Sequence, residues 1–281
     1  MSKGDITVKF LNLGCGSRIN RKWTNVDFHS GSKDVLAFDL KKGIPFEKET
    51  FDVVYHSHLI EHFSKKEATF FLSECHRVLK HEGVLRIAYP DLEQIVLNYI
   101  RLLEHLKQNK HEFTDDYDWI MLELFDQTVR NTSGGEMAEY FIKESLPNQE
   151  FVLSRCGVEA KNLIIWGKRQ LKNEATDRKS IKYRIIRKLK ILFNREFIIK
   201  KMLGKEYKSL QVGRFRMGGE IHQWMYDSYS MKELLNYAGF RNIVIRDAFH
   251  SYIQDWQQYL LDTEPDGSIY KPDSGYIEGK K

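Results

Sequence analysis

Apolar residues come in short runs along this chain, each stopped by a glycine, a proline or an acid. Phe10-Leu11-Asn12-Leu13 ends at Gly14-Cys15-Gly16, and Val35-Leu36-Ala37-Phe38 ends at Asp39-Leu40. Phe51-Asp52-Val53-Val54-Tyr55 and Val84-Leu85-Arg86-Ile87-Ala88-Tyr89 follow, the second stopped by Pro90. Short runs of this kind, closed by breakers, predict buried strands. Between them the period changes: Phe70, Phe71, Cys75, Val78 and Leu79 recur as one side of a helix closed by Gly83. Towards the C-terminus Met231, Leu234, Leu235 and Ala238 share a helical face, with Gly239 suited to the position just past the helix end. Ile243-Val244-Ile245 then reads as a strand and Gly275-Tyr276-Ile277-Glu278 as a last one. Strands alternating with helices predict a mostly parallel sheet with helices on both faces.

The glycines after the first run change the picture from architecture to chemistry. Glycine can turn with positive φ and lets a ligand approach where a Cβ would stand. Asp27, in Thr24-Asn25-Val26-Asp27-Phe28, comes eleven residues after Gly16. A carboxylate at the tip of the next strand is placed to accept hydrogen bonds from ribose hydroxyls. A dinucleotide site would need a third glycine three residues on and an acid about 20 residues away. Ile19 stands at that third position, and the acid arrives early. An adenosine-containing cofactor other than a dinucleotide is therefore expected. The plainer role for Asp27 and Asp39, as turn or cap acids, is outweighed by their recurrence after successive apolar runs.

In five ordered motifs over residues 8–92, and again over 229–247, the chain resembles the class I S-adenosylmethionine-dependent methyltransferases. The motifs read LNLGCG, NVDF, FDL with a following PF, FDVVYHSHLIEH and HRVLKHEGVLRIAYPDL. The resemblance implies a Rossmann-like α/β fold with a seven-stranded, mostly parallel sheet whose last strand is reversed. It implies S-adenosylmethionine as cofactor and S-adenosylhomocysteine as product. Leu13, Gly14, Cys15 and Gly16 would pass under the methionine part. Asp27 and Phe28 would meet the ribose, Asp39 and Leu40 the adenine. Ser57, His58 and His62 would lie near the sulfonium.

The same comparison divides the chain. Residues 1–92 and 221–281 would form the cofactor domain, and residues 93–220 a mostly helical insertion between the fifth strand and the following helix. Such an insertion lies over the crevice where open α/β sheets bind substrates, and so predicts a substrate lid. Its DQ-x-x-R element (Asp126, Gln127, Arg130), its GGEM element and the later His222-x-x-Met225-Tyr226-Asp227 segment resemble methyltransferases of cell-surface polysaccharide assembly. That resemblance implies O-methylation of a sugar hydroxyl on a glycan or glycolipid precursor. Asp126, Gln127, Arg130 and Tyr226 would contact this acceptor. A hydroxyl acceptor needs a base, and His222, whose ordinary pKa is near neutral, is the first candidate, with Asp91 the second. A small lipid or quinone-like acceptor would instead call for a more apolar lid.

Two segments admit other readings. His58-x-x-Glu61-His62 matches the H-x-x-E-H pattern of inverted zinc peptidases, since histidines at i and i+4 share a helical face. It follows directly on a sheet strand, no downstream third ligand is evident and no paired acidic metal motif stands out, so metal-independent transfer is expected. Residues 178–208 hold twelve Lys/Arg against two Glu, which leaves a net −5 for the rest of a chain whose total is +5. Ile181, Ile185, Leu189, Leu192, Ile199 and Leu203 recur among those charges at helical spacing. A basic amphipathic helix can dock on its own domain or lie on an anionic membrane surface. It could also serve a non-catalytic adapter that kept the cofactor fold. No RNA-binding module or aromatic platform is visible, so no nucleic-acid partner is expected.

Composition agrees with a folded enzyme. The 281 residues are 42% hydrophobic and 13% aromatic, enough for a sizeable core. Cys15, Cys75 and Cys156 are few, scattered and odd in number, which fits a reducing compartment and no zinc framework. The first strand begins within ten residues and no run of eighteen apolar residues occurs, so neither a secretory leader nor a membrane span is expected. A cytoplasmic location follows, peripheral to the inner face of the membrane if the basic helix meets it.

Overall fold

A computed structural model describes residues 8–143, 145–176 and 195–281 of the chain. Seven strands form one sheet: β1 (Phe10–Leu13), β2 (Thr24–Asp27), β3 (Val35–Ala37), β4 (Phe51–Ser57), β5 (Leu79–Pro90), β6 (Arg241–Arg246) and β7 (Ser274–Lys280). Their order is β3-β2-β1-β4-β5-β7-β6. The first five are parallel, and β7 runs antiparallel to both β5 and β6. This is the sheet that the resemblance implies, with the reversed strand at β7.

One face of the sheet is covered by two helices, α1 (Lys65–Val78) and, later in the chain, α8 (Ser228–Tyr237). Helix α1 starts where the Ser64 hydroxyl accepts from Glu67 N and the Glu67 carboxylate accepts from Ser64 N, a reciprocal capping box. Phe71, Leu72, Cys75 and Val78 of α1 pack with Met231 and Leu235 of α8 onto Leu11, Val26, Val54, Leu85 and Ile277. Each such fully buried apolar side chain contributes about 1.5–3 kcal/mol. Phe70, expected on the buried side, is 45% exposed, because the buried stripe of α1 runs through 68, 71, 72, 75 and 78.

The other face departs from the expectation of helices on both sides. It is covered by the irregular segment between β6 and β7, whose Ile253, Trp256 and Leu261 pack with Trp23, Tyr55 and Val84. The β1–β2 crossover holds no helix at all. Ten residues are too few for the usual helical crossover between parallel strands. Two buried asparagines organise that loop instead: Asn12 Nδ2 donates to Asn25 Oδ1 (3.0 Å) and to Arg18 O, and Asn25 Nδ2 donates to Asn20 O and Trp23 O (both 2.9 Å). The fully buried Arg86 ties the aromatic segment to the sheet. Its Nε donates to Asp262 (2.8 Å), its Nη1 to Glu278 (3.0 Å), and its guanidinium lies 4.5 Å over the Trp256 ring.

Between β5 and α8 lie α2 (Leu92–Lys107), α3 (Thr114–Val129), α4 (Gly135–Phe141), α5 (Gln149–Thr176), α6 (Arg195–Leu203) and α7 (Tyr207–Arg216). Trp119, Tyr140, Phe141, Val152, Ala160 and Ile164 form the core of α3, α4 and α5. Helix α5 is broken at Gly157 (φ 59°), where a Cβ would stand 2.5 Å from Tyr270 O; the break lets the helix pass close to the chain leading into β7. Of the basic stretch 178–208, residues 177–194 lie outside the described residues. In α6, Ile198 and Met202 are exposed. No helix among the described residues is long and apolar enough to cross a membrane.

Candidate active site

Chain direction reverses across the sheet between β1, which leads outward to β2, and β4, which leads the other way to β5. In open α/β sheets ligands bind at such a point, outside the C-terminal strand ends. A cleft of about 700 Å³ opens there. Gly14, Asp27, Phe28, Asp39, Leu40, His58 and His62, all expected from the sequence, line it. Gly14 has φ +62°, a conformation that favours glycine, and a Cβ on it would stand 2.9 Å from Leu59 Cδ1, so any other residue there is strained. The Asp27 carboxylate accepts from Gly16 N (2.8 Å) and His29 N (3.3 Å), fixing the loop across the cleft floor. Asp39 caps the short 3-10 turn Leu40–Lys42 by accepting from Lys41 N. The Gly43–Phe46 stretch behind it is clamped to α1 by Arg77, which donates to Ile44 O and Phe46 O, and by Glu74, which accepts from Ile44 N.

Beside this cleft, under the helical insertion, lies a second cavity of about 330 Å³. The two share His58, His62 and Glu220. The shared wall is built by two segments. His58, with φ +49°, turns the chain out of β4, and a 3-10 turn, Ile60–His62, follows. Against it runs the chain from the insertion to α8: Gln223 N and Trp224 N donate to Glu61 O (2.7 and 3.3 Å), and His222 N donates to Gln127 O (2.9 Å).

Three imidazoles thereby surround one carboxylate. Glu61 Oε1 lies 3.6 Å from His58 Nδ1, 4.0 Å from His62 Nε2 and 3.9 Å from His222 Nε2. The rings of His62 and His222 meet edge to face, 4.9 Å apart. Glu61 is 0% exposed and neither of its oxygens has a hydrogen-bond partner. Burial pushes its carboxyl up to about 8 and holds His58, His62 and His222 below the ordinary imidazole range. The cavity is also lined by Glu123, Gln127, Arg130, Glu159, Lys271 and Asp273. Burial raises Asp273 to about 7.

Several expected residues lie elsewhere. Asp91 caps α2: its Oδ1 accepts from Glu93 N and Gln94 N, so the second candidate base is occupied at a helix start. Asp126 is buried at the start of α4, accepting from Glu136 N and Met137 N, while Gln127 and Arg130 do line the cavity. Tyr226 packs in the sheet core with its hydroxyl buried. Leu13 and Cys15 are buried beneath the cleft, Gly16 contributes its N–H to Asp27, and Ser57 lies on the Tyr55 side of β4. The H-x-x-E-H residues do not share one helix, since His58 precedes the turn that carries Glu61 and His62. Sequence reading missed Glu61 as a site residue, although its motif was in view. Gly218, Gly219 and Glu220 stand on the cleft rim with Met217, which sequence reading missed, as it did Lys271 and Asp273, which tertiary folding alone brings in.

Residues 11–87 match the family model described as a methyltransferase domain. No curated protein matches the chain. Among solved structures it is similar to an S-adenosylmethionine-dependent methyltransferase from Archaeoglobus fulgidus, with 12% identity over 98% of this chain and 86% of that one, at a TM-score of 0.36. A Thermotoga maritima methyltransferase described as a possible histamine N-methyltransferase gives 12% identity over 97% and 82%, at a TM-score of 0.37. The protein in complex with the Haloferax volcanii Trm112 methyltransferase activator gives 20% identity over 32% of this chain and 48% of that one, at a TM-score of 0.27. The chain thus spans about half the length of that last relative.

Proposed function

We propose that the protein is an S-adenosylmethionine-dependent methyltransferase that methylates a hydroxyl of a polar acceptor, a sugar of a glycan or glycolipid precursor. What carries this reading is the junction of the two cavities: the cleft bearing Gly14, Asp27 and Asp39 meets a second cavity, lined by charged and apolar side chains, at His58, His62 and Glu220. Gly14 at positive φ turns the loop along the cleft where a methionine moiety would lie, Asp27 offers acceptors to ribose hydroxyls, and Asp39 offers one towards an adenine amino group. The cofactor supplies an electrophilic methyl group. The chain's own part is to hold the acceptor oxygen in line with it, which accounts for much of the rate in such a displacement.

The second cavity offers a polyhydroxylated acceptor polar groups beside the apolar Ile95, Met137, Phe141 and Leu163. Gln127, Arg130, Glu159, Lys271 and Asp273 can each hydrogen-bond hydroxyls. Neutral imidazoles at the junction, His222 among them, are the groups able to take the acceptor's proton. The basic stretch 178–208 would bring the enzyme to an anionic membrane surface bearing a lipid-linked acceptor.

Calorimetric titration with S-adenosylhomocysteine, with NAD as the control ligand, tests the cofactor. One-to-one binding of the first and none of the second is expected. Binding of neither would overturn the methyltransferase reading in favour of an adapter. Methyl transfer from labelled cofactor to a panel of sugar and quinone-like acceptors tests the substrate class, and transfer to the quinones alone would overturn the sugar assignment.

A further inference from the structure

We infer that Glu61, His62 and His222 bind a divalent transition-metal ion, of the zinc class, at the junction of the two cavities. Their ligand atoms lie within 4.8 Å of one another. A tetrahedral set with ligands at 2.0–2.1 Å has its donors about 3.3 Å apart, so small side-chain movements close the site. Two imidazoles and one carboxylate with open positions are a donor set that such ions accept, as in zinc hydrolases and non-haem iron enzymes.

Three independent observations point to an ion. First, a carboxylate that is 0% exposed with both oxygens unpartnered is costly unless paired. Second, His62 Nδ1 lies 3.1 Å from Ile221 O. A carbonyl only accepts, so Nδ1 carries the proton and Nε2, on the Glu61 side, keeps its lone pair. A backbone carbonyl that fixes the tautomer in this way is the usual outer support of a metal-binding histidine. Third, the cations around the cavity already have carboxylate partners. Arg130 pairs with Glu220 (3.2 Å), Lys271 with Glu159 (2.7 Å) and Arg155 with Glu123 (2.7 Å). Glu61 has no Lys or Arg within ion-pair distance among the described residues, which leaves its carboxylate for a cation at this site.

The site revises the part of His222, from proton acceptor to ligand, and leaves His58, whose Nε2 is hydrogen-bonded to Ser274 Oγ (2.7 Å), as the imidazole outside the ligand set. An ion there would hold the acceptor hydroxyl at an open position and make it more acidic. This use of the ion rests on the methyltransferase reading; the site itself does not.

The test uses the full chain, stripped with a chelator and titrated with Co²⁺ by visible absorption, then with Zn²⁺ in competition. One equivalent should bind to the wild-type protein. Glu61→Gln and His62→Ala should each weaken it by more than about 100-fold, beyond what loss of an outer support costs. S-adenosylhomocysteine is titrated in parallel, and a urea melt reports that each variant is folded; His62 is partly exposed, so its variant serves if Glu61→Gln does not fold. Absence of saturable binding, or binding unchanged in the folded variant, overturns the site. Metal binding without cofactor binding supports the site and overturns the methyltransferase reading. Cofactor binding without metal does the reverse.

Discussion

Replacing Asp27 separates cofactor recognition from fold maintenance. Its carboxylate has two tasks: accepting from Gly16 N and His29 N, and facing a cleft where ribose hydroxyls would arrive. A hydrogen bond to a charged group contributes about 1.5–3 kcal/mol. Losing two to the ribose in Asp27→Ala, partly replaced by water, should cost about 3 kcal/mol, which is roughly a 150-fold rise in Kd at about 1.4 kcal/mol per decade. Asp27→Asn keeps an acceptor for Gly16 N and one for the ligand, so it should lose only about tenfold. Titration calorimetry with S-adenosylhomocysteine measures both, and a urea melt of each variant checks that the partly exposed position leaves global stability within about 1 kcal/mol. An Asp27→Ala protein that binds the ligand within about threefold of wild type would refute the assignment of this carboxylate to the ribose.

Other substitutions probe the remaining supports of the site. Arg86→Met should lower unfolding free energy by about 3 kcal/mol in urea, because it leaves the buried Asp262 with the Tyr55 hydroxyl but no cation, while Glu278 keeps Arg246; a loss below about 1 kcal/mol would contradict the role given to this network. Gly14→Ala should weaken S-adenosylhomocysteine binding at least about tenfold, from a Cβ against Leu59 at positive φ, and unchanged affinity would show that the loop can yield. Asp91→Ala should cost about 1 kcal/mol in a urea melt as a lost helix cap, with methyl transfer retained, whereas abolished transfer in a stable variant would restore it as a base. Glu74 is held below its ordinary 4.5 by hydrogen bonds from Arg77, so the stability it adds is complete above that pH and lost as pH falls through the folded value. Urea midpoints for Glu74→Gln should therefore lie below wild type at pH 7 and converge on it in acid; a constant gap would contradict this.

The parts of the structure legible in the sequence are those coded locally. Phe10–Leu13 followed by glycine, and Phe51–Ser57, form strands because each is a short apolar run whose neighbours break it. Gly239 ends α8 at φ +93°, as its place after a helical stripe requires. Acids near element ends were harder, because a cap and a catalytic group use the same residue types. Asp91 carried its own correction: an acid followed three residues later by Gln94 is a helix-start signature. Asp126 carried none, since the N–H groups it satisfies belong to Glu136 and Met137 at the start of another helix. The second face of the sheet was illegible for a related reason. Trp23, Tyr55 and Trp256 are far apart in the chain and have no shared period, yet they form one aromatic layer around the Arg86 ion pairs.

One segment does more for the site than its length suggests. Residues 217–220 line the cofactor cleft, and Glu220 and His222 line the cavity under the insertion. The same stretch is anchored at both sides: Gln223 and Trp224 bond to Glu61 O at the end of the sheet, and His222 N bonds to Gln127 O on α3. Arg130 on α3 also donates to Glu220 O and pairs with its carboxylate. A shift of α3 relative to the sheet would therefore pull on the rim of one cavity and on the imidazole of the other together. Two ligands whose pockets share such a strap would be coupled through it, and the coupling would be reciprocal: whatever acceptor binding did to cofactor affinity, cofactor binding would do to acceptor affinity. The insertion is thus more than a cover over a preformed site, because its return segment supplies part of the wall on which both ligands would rest.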